Sequence, residues 1–368
     1  MKILHIINSL DDGGAEIALA KLLENDKNHQ HIVISVYEEK KILSRLEAAG
    51  AEIISLDLTR GKVIYAVFEI SKIMRVKSPD VTVGWLYLGC LLAWIAAIKT
   101  QSSKLIFYIH NTNLSFLSSN RFTILIRLLL APLSYFRVAK ILYCADVART
   151  VHEKIGYKRS VSEVLYNGYD LQAFDISSEP KVVTRKKLGL PEEPFLFGCI
   201  ARYSPQKNHA GLIKAYAQIQ SEKNHLVLVG RHCSSANIEL VKMINDFKLA
   251  DSVTLLGSRK DIADILSGLD VLVLASRFGE AFPNILCEAM SCGIQCIAHD
   301  VGDSKQILSR FGLIIPLEEK NGLSAAMQRC QSSHSAEDFR TERREHIKEN
   351  FSIEIMVKKF DRIIAQEQ

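Results

Sequence analysis

The stretch from Asp270 to Ala298 limits the fold most strongly. An apolar run, Asp270–Ala275, leads into a loop with Gly279 and Pro283, then a segment of helical apolar periodicity and a second apolar run, Ile294–Ala298. Such short apolar runs are typical of parallel strands buried on both faces, and proline is tolerated in the first turn of a helix. The pattern therefore predicts strand, loop, helix and strand in a parallel α/β sheet.

Two carboxylates belong to this segment, Glu280 on the loop and Glu288 inside the helix. Ligands of open α/β sheets bind where strands end and helices begin, because the helix offers unpaired N–H groups and its positive dipole end there. An ionised Glu accepts hydrogen bonds from a vicinal diol, so a sugar nucleotide suits the arrangement. The alternative is that the dipole alone favours an acid before a helix and that a helical Glu faces water.

The string E-A-F-P-N-I-L-C-E at residues 280–288, followed by A-M-S-C-G, resembles the E-x7-E signature of retaining glycosyltransferases of family 4. This resemblance implies the GT-B fold, an α/β architecture of two doubly wound Rossmann-like domains facing across a cleft. It also implies a set of donor-binding residues in this segment. They are Glu280, Ala281, Phe282, Pro283, Asn284 and Glu288.

A second motif of the same family follows the apolar run Phe195–Ala201. Arg202 and Lys207, in the pattern R-x4-K-N, resemble the cation pair that binds the donor diphosphate. The alternative is two surface bases before a helix. Gly230 ends the next predicted strand, His225–Val229, and is expected to line the nucleotide pocket.

The N-terminal half has candidate residues of its own. Gly13 and Gly14 follow the apolar run Met1–Ile7, and G-G-A-E resembles the family's N-terminal loop, which faces the diphosphate and the acceptor. Glycine lets the backbone approach a ligand closely, although an ordinary strand-to-helix turn also favours glycine. His110 ends the run Leu105–Ile109, and family members have a His there beside the donor sugar. A lone His is otherwise more often structural.

The resemblance assigns catalytic roles to His110, Arg202, Lys207 and Glu280. Arg202 and Lys207 would stabilise charge on the leaving diphosphate, because fixed donors in a drier site are effective for this purpose. Glu280 would hold a sugar hydroxyl, Glu288 the ribose diol, and His110 the far side of the sugar. The leaving diphosphate would itself take the acceptor proton. No D-x-D follows a strand end, so no cofactor and no obligatory divalent metal are expected.

At 368 residues the chain exceeds one ordinary core, and two domains are expected. The boundaries are placed at 1–172 for an acceptor-binding domain and 173–350 for a nucleotide-sugar-binding domain. Residues 351–368 are expected to form an amphipathic helix that crosses back to the first. The polar stretch Asp175–Pro194 reads as the connection, and N-G-Y-D at 167–170 resembles the family's hinge motif.

Charge is unevenly distributed, because residues 81–145 contain no Asp or Glu. The segment Arg121–Arg137 is apolar with bases at intervals, which favours a helix that packs inward on one face and contacts an anionic membrane along its basic edge. A solvated basic face or a core helix is the alternative. The uncharged stretch 81–98 is interpreted as a strand and a buried helix rather than a membrane span. No nucleic-acid partner is expected.

Eight cysteines lie in apolar runs, and no secretory signal precedes them, which favours reduced, buried thiols in a cytoplasmic protein. A metal bound by Cys287, Cys292 and Cys296 is disfavoured because their spacing matches no zinc pattern.

The sequence thus predicts a peripheral enzyme at the inner face of the cytoplasmic membrane. It would move a hexose or N-acetylhexosamine from a nucleotide sugar, UDP- rather than GDP-linked, to a hydroxyl of a saccharide or lipid-linked saccharide in surface polysaccharide synthesis. Two alternatives remain. A nucleotide-sugar 2-epimerase of the same fold would convert a donor analogue without an acceptor, and a non-catalytic GT-B subunit would bind a partner.

Overall fold

The computed structural model of the chain describes residues 1–38, 40–58, 62–100, 104–112, 121–332 and 339–365. Backbone contacts divide the chain into two units, Met1–Gly168 with Ile353–Gln368, and Tyr169–Ser352. The boundary between Gly168 and Tyr169 therefore falls inside the N-G-Y-D motif. A Cβ on Gly168 would lie 2.7 Å from the Cα of Ile353, so this glycine allows close approach of the C-terminal segment.

The first unit is built on a parallel sheet of seven described strands in the order β3-β2-β1-β4-β5-β6-β7. The strands are β1 (Lys2–Ile7), β2 (Gln30–Ser35), β3 (Glu52–Ser55), β4 (Val81–Trp85), β5 (Lys104–Ile109), β6 (Val138–Tyr143) and β7 (Ser162–Val164). The helices between them are α1 (Gly14–Asn25), α2 (Leu43–Ala48), α3 (Val63–Lys77), α4 (Leu86–Thr100), α5 (Arg121–Leu133) and α6 (Asp146–Lys154). The strand order reverses between β1 and β4, where a doubly wound sheet opens a crevice.

The second unit has a parallel sheet of six described strands in the order β10-β9-β8-β11-β12-β13. Its strands are β8 (Phe195–Ile200), β9 (Asn224–Val229), β10 (Val253–Gly257), β11 (Val271–Leu274), β12 (Gln295–His299) and β13 (Leu313–Ile315). Its helices are α7 (Lys181–Leu188), α8 (His209–Ala217), α9 (Ile238–Asp246), α10 (Ile262–Gly268), α11 (Asn284–Ser291), α12 (Ser304–Leu308), α13 (Gly322–Ser332) and α14 (Arg340–Phe351). Here the order reverses between β8 and β11.

The strands expected from apolar runs are confirmed to within a few residues, and β7 was missed because Ser162–Val164 is short and half-buried. The uncharged stretch 81–98 is divided between β4 and α4 as expected. Among the described residues, no helix combines the length and the apolar character needed to cross a membrane. All eight cysteines are buried, and none of them forms a disulfide.

The polar stretch 175–194 is not a simple connection, because it contains α7, which belongs to the second unit. Arg185 on this helix is buried, and its guanidinium donates to the carbonyls of Gly268, Glu192 and Pro194 and to the Asp270 carboxylate. Because these hydrogen bonds satisfy its buried charge, Arg185 anchors a segment whose polar composition is typical of a linker.

The expectation of a basic edge on α5 is wrong at Arg127. This side chain is buried, because it lies three residues after Ile124 and three before Leu130 on the buried stripe of the helix. Elsewhere in the acid-free segment, Lys104 donates to the carbonyl of Ile364, and Lys140 lies 3.7 Å from a Glu163 oxygen. The outward face of α5 is therefore more apolar than basic.

The final helix, α15 (Ile353–Ala365), packs in the first unit, against α1. Its apolar positions follow helical spacing and are buried, as its amphipathic sequence indicates. The buried residues are Ile353, Met356, Phe360, Ile363 and Ile364.

Candidate active site

In the second unit, two neighbouring loops carry most of the predicted residues. Residues 201–208 follow β8 and residues 275–283 follow β11, and these two parallel strands flank the reversal of strand order. Ligands of open α/β sheets bind outside the carboxyl ends of strands at such a reversal. The loops therefore lie where a ligand crevice is expected.

Lys207 and Glu280 meet between these loops. The Nζ atom of Lys207 lies 2.6 Å from Oε1 of Glu280, and the Ser276 hydroxyl donates to the same oxygen at 2.7 Å. The Lys207 and Glu280 side chains are 19% and 8% exposed. Charges that are this well shielded from water interact more strongly than a surface pair does. The arrangement fixes the carboxylate and one of the two predicted cations.

Backbone contacts hold the same two loops together. The Arg277 N–H donates to the carbonyl of Gln206 at 3.1 Å, and the Asn208 side-chain amide donates to that of Ala275 at 3.2 Å. Arg202 is exposed, and its guanidinium lies 3.3 Å from Oε1 of Gln206. Sequence reasoning missed Ser276, Gln206 and Asn208, although the N that follows Lys207 was a signal. Asn208 caps α8 by accepting from the Gly211 N–H.

Two glycines fit this loop system for steric reasons. Gly279 has φ +74°, which favours glycine. A Cβ on Gly302, in the turn after β12, would lie 2.6 Å from the carbonyl oxygen of Ala281. The Asp303 N–H donates to that same carbonyl at 2.9 Å. The turn after β12 thus supports the peptide between Ala281 and Phe282.

Helix α11 begins at Asn284, with Pro283 as its N-cap residue. Asn284 and Glu288 are one turn apart, so both lie on the same face of the helix near its positive end. The Tyr169 hydroxyl donates a short hydrogen bond to Oδ1 of Asn284, and its ring stacks on Phe282 with centroids 6.1 Å apart. From the sequence, Tyr169 was known only as the third residue of N-G-Y-D. Here it orients the amide at the start of the helix.

A cavity of about 300 Å³ opens beside these loops in the second unit. Its walls come from residues at the ends of β8, β9 and β10 and at the start of α10. They are Ile200, Arg202, Val229, Gly230, Arg231, Ser258, Arg259 and Ile262. Gly230 has φ +139°, and a Cβ there would lie 2.2 Å from the Ala201 carbonyl oxygen, so glycine is required where the two strand ends meet.

The first unit has its own cavity, of about 570 Å³, at the carboxyl ends of its strands. Aromatic side chains and two amides line it. The lining residues are Asn8, Tyr37, Val63, Leu86, Tyr87, Leu88, Asn111, Phe122, Thr123 and Ile126. Oδ1 of Asn8 is buried and has no hydrogen-bond partner in the part of the chain that the structure describes. Aromatic faces with a few fixed polar groups are typical of a small-molecule site.

His110 lies at the end of β5, as expected. Its ring stacks on Trp85 with centroids 5.3 Å apart, and its Nε2 atom is buried and forms no hydrogen bond with any described residue. Desolvation lowers the pKa of His110 to about 3. The imidazole is therefore neutral near pH 7 and offers one donor and one acceptor rather than a positive charge.

The Gly13–Gly14 loop precedes α1. A Cβ on Gly13 would lie 2.4 Å from a carboxylate oxygen of Glu16, whereas a Cβ on Gly14 would meet no atom within 4 Å. Glu16 is buried, and desolvation raises its pKa. Gly13 thus makes room for a buried carboxylate, and Gly14 borders open space. The structure places these glycines and His110 in the first unit and the remaining predicted residues in the second.

Comparison with known families accounts for both units. Residues 13–173 match the model of glycosyltransferase family 4, and residues 181–351 match that of glycosyl transferases group 1. The chain belongs to these glycosyltransferases, as its motifs indicated, and it is an enzyme of the hexosyltransferase class.

Individual relatives agree with this assignment. EpsF of Bacillus subtilis (strain 168), which is named as a glycosyltransferase, is 24% identical over 350 residues, covering 88% of this chain and 85% of EpsF. The Escherichia coli UDP-Gal:alpha-D-GlcNAc-diphosphoundecaprenol alpha-1,3-galactosyltransferase is 30% identical over 207 residues. That match covers 54% of this chain and 52% of the relative, so it spans about half of each protein.

A solved structure shows the same fold. Anabaena Alr3699/HepE in complex with UDP matches with a TM-score of 0.87 and 20% sequence identity over 100% of both chains. The same protein has also been solved with UDP-glucose. The predicted GT-B fold is confirmed by this likeness together with the two parallel sheets.

Proposed function

We propose that this enzyme transfers a hexose or N-acetylhexosamine from a UDP-sugar to a hydroxyl of a lipid-linked saccharide, with retention at the anomeric carbon, in surface polysaccharide synthesis. The observation that carries the proposal is the contact of Lys207 with Glu280 at the strand reversal of the second unit. It puts a cation suited to phosphate and a carboxylate suited to sugar hydroxyls at one point. A nucleotide sugar carries both groups.

In this proposal Lys207 and Arg202 bind the diphosphate, together with the N–H groups at the start of α11. Glu280 accepts a hydrogen bond from a sugar hydroxyl and Glu288 accepts from the ribose diol, since ionised carboxylates only accept. The base enters the cavity that Arg231 and Arg259 border. UDP is favoured over GDP because HepE, which shares the fold, has been solved with UDP.

The fixed cations favour a reaction without an obligatory divalent metal. As the bond to the sugar breaks, charge grows on the diphosphate, and Arg202 and Lys207 stabilise it there. The leaving diphosphate then takes the proton of the acceptor hydroxyl. His110 acts in its neutral form and holds the far side of the sugar by hydrogen bonding. We expect no rise in kcat when Mg²⁺ or Mn²⁺ is added to an assay without divalent ions.

The cavity of the first unit suits the saccharide of the acceptor. Tyr37, Tyr87 and Phe122 offer ring faces, and Asn8 and Asn111 offer amides that hydrogen-bond sugar hydroxyls. The buried Oδ1 of Asn8 has no hydrogen-bond partner among the described residues and is free to accept from such a hydroxyl. The Escherichia coli relative, named for a diphosphoundecaprenol-linked substrate, also favours this acceptor class.

Helix α5 adjoins that cavity and has an exposed apolar face, which we propose contacts the inner face of the cytoplasmic membrane. Large apolar side chains on α5 and just after it are between 45% and 63% exposed. They are Phe122, Leu125, Leu128, Leu129, Tyr135 and Phe136. Arg121 and Arg137 lie at the two ends of this face and are exposed. Apolar burial flanked by bases favours binding to anionic lipid.

The donor site is tested by thermal unfolding with UDP, GDP, ADP and dTDP. A ligand at ~100 times its dissociation constant stabilises the native state by about 2.7 kcal/mol, which shifts the unfolding temperature measurably. We expect UDP to stabilise the wild type and Glu288→Ala to lose most of that shift. A response to none of the four nucleotides would contradict the proposed donor site and favour the non-catalytic alternative.

The membrane contact is tested separately by sedimentation with anionic vesicles. Leu125→Glu with Leu129→Glu should weaken binding, because each puts a charge into the proposed lipid-facing surface. Ile238→Glu is the matched control, since Ile238 is 82% exposed on α9 of the second unit. Equal binding by all three proteins would refute the membrane contact and leave the donor site untouched.

A further inference from the structure

A cluster of metal-binding side chains lies in the first unit, among residues that the glycosyltransferase site does not use. Asp26 ends α1, His29 precedes β2, and Asp361 lies on α15. Nδ1 of His29 is 2.8 Å from Oδ2 of Asp26 and 3.5 Å from Oδ1 of Asp361. One ligand atom from each residue lies within 4.8 Å of the others. Three elements of the unit therefore bring a nitrogen and two carboxylates together.

A buried row of aromatic rings leads to this cluster, and the hydrogen bonds along the row determine which histidine nitrogens carry protons. The Trp85 indole N–H donates to Nδ1 of His5 at 3.1 Å, and Nε2 of His5 lies 3.0 Å from Nδ1 of His31. An indole nitrogen only donates, so Nδ1 of His5 must accept and its Nε2 must carry the proton. Nδ1 of His31 then accepts in turn. A neutral His31 consequently carries its proton on Nε2.

That Nε2–H of His31 faces the cluster. It lies 3.2 Å from Oδ2 of Asp26 without forming an aligned hydrogen bond, and His31 itself is 7% exposed. Oδ1 of Asp361 is likewise buried, and it accepts no hydrogen bond from the residues that the structure describes. A buried donor that is poorly aligned and a buried carboxylate oxygen without a hydrogen bond, both at Asp26 and His29, indicate that an additional group belongs in this cluster.

We propose that Asp26, His29 and Asp361 bind a transition-metal ion of the zinc type. An imidazole nitrogen with two carboxylates suits zinc better than calcium or magnesium, which prefer oxygen ligands alone. Ligands at about 2.0–2.1 Å in a tetrahedron lie roughly 3.3 Å apart, close to the separations around His29. The ion replaces the proton that His29 shares with the carboxylates. Water takes the fourth position, and His31, whose Nε2 is protonated, donates to that water.

The ion would fasten the C-terminal helix to the rest of the first unit. Apart from its apolar face, α15 is linked to this region by the amide of Asn28, which donates to Oδ2 of Asp361 at 3.1 Å. A metal bond between α15 and the segment that joins α1 to β2 would resist separation more strongly than that hydrogen bond and the 3.5 Å approach of His29 to Asp361. The site is thus structural and independent of the proposed transfer reaction.

The test is titration of the full-length protein, stripped of metal by dialysis, with Zn²⁺ in a calorimeter. We expect one equivalent to bind and the unfolding temperature to rise by a few degrees in excess Zn²⁺. His29→Gln and Asp361→Asn should each abolish that equivalent, and Asp246→Asn, an exposed residue of α9, is the control. Circular dichroism without metal shows whether each variant folds.

The variant His31→Gln tests whether His31 is itself a metal ligand or only donates a hydrogen bond to the metal-bound water. Glutamine keeps a side-chain N–H, so this variant should still bind one equivalent, with an affinity loss no larger than the roughly 10–100-fold typical of a residue that only orients a ligand. Loss of the equivalent in His31→Gln would overturn the assignment of three protein ligands. Unchanged binding in folded His29→Gln and Asp361→Asn, or no binding to the wild type, would overturn the site itself.

Discussion

Replacing Lys207 with methionine keeps the apolar stem of the side chain and removes only its charge. A fixed donor aimed at charge that develops in the transition state is worth about 2.7–4 kcal/mol. Lys207 is 19% exposed, so some solvent screening remains, and we take a value near ~3 kcal/mol. That value corresponds to a fall in kcat of roughly 150-fold, with a much smaller change in the donor KM.

The assay is the initial rate of nucleotide release from the sugar donor that the thermal panel identifies. Lys214→Met is the control, because Lys214 is an exposed lysine on the neighbouring helix α8. The reasoning would be refuted if Lys207→Met kept kcat within a few-fold of wild type. It would also be refuted if only KM rose, since the contact would then be equally strong before and during the reaction.

Stability needs a separate measurement, because the same substitution removes the partner of Glu280. Breaking a fully buried pair costs about 3–5 kcal/mol, but Ser276 still donates to this carboxylate and Lys207 is partly exposed. We expect a loss of about 1–2 kcal/mol in urea unfolding. Lys207→Met combined with Glu280→Gln should recover most of that stability without restoring kcat. This double variant separates charge stabilisation in catalysis from a folding defect.

Three further outcomes are expected. Tyr169→Phe removes the hydrogen bond to Asn284, so urea unfolding should show a loss of about 0.5–1.5 kcal/mol, and the donor KM should rise because the amide at the start of α11 is no longer oriented. Arg185→Ala should destabilise the second unit by about 3–5 kcal/mol in urea unfolding, whereas Lys186→Ala, exposed on the same helix, should not. Acid should destabilise the first unit, because burial lowers the pKa of His110 to about 3 and of His152 to about 4. Only the unfolded chain gains these protons as pH falls below ~6.5, so stability measured at pH 5.5 should be lower than at pH 7.5 by about 2.6 kcal/mol for the pair. A flat profile between those pH values would contradict the neutral assignment.

The strands and their parallel arrangement were predictable because strands that are buried on both faces have continuous apolar sequences. The strand ends then located the loops, and with them Lys207 and Glu280. Sequence could not show that Lys207 and Glu280 touch, since 73 positions separate them. Nor could it reveal Tyr169, whose contact with Asn284 spans 115 positions and depends on how the chain enters the second unit. Contacts of this length are set by the finished fold rather than by local pattern.

Charged residues were the least predictable part, and the reason is physical. The sequence does not distinguish a guanidinium buried among carbonyl groups from one exposed at a ligand crevice. For this reason Arg127 was assigned to a basic edge and the polar segment that contains Arg185 to a connection, although both side chains are buried. These two residues differ from Arg202 in where they lie relative to the strands. Arg202 follows the carboxyl end of a strand at the reversal of strand order, whereas Arg127 and Arg185 lie inside helices, on the faces that pack inward. In a doubly wound chain, a base is therefore a better candidate for phosphate binding when it follows a central strand than when it lies in a basic run. Counting charges along the sequence does not use that distinction, and for this reason it overestimated the positive face of α5.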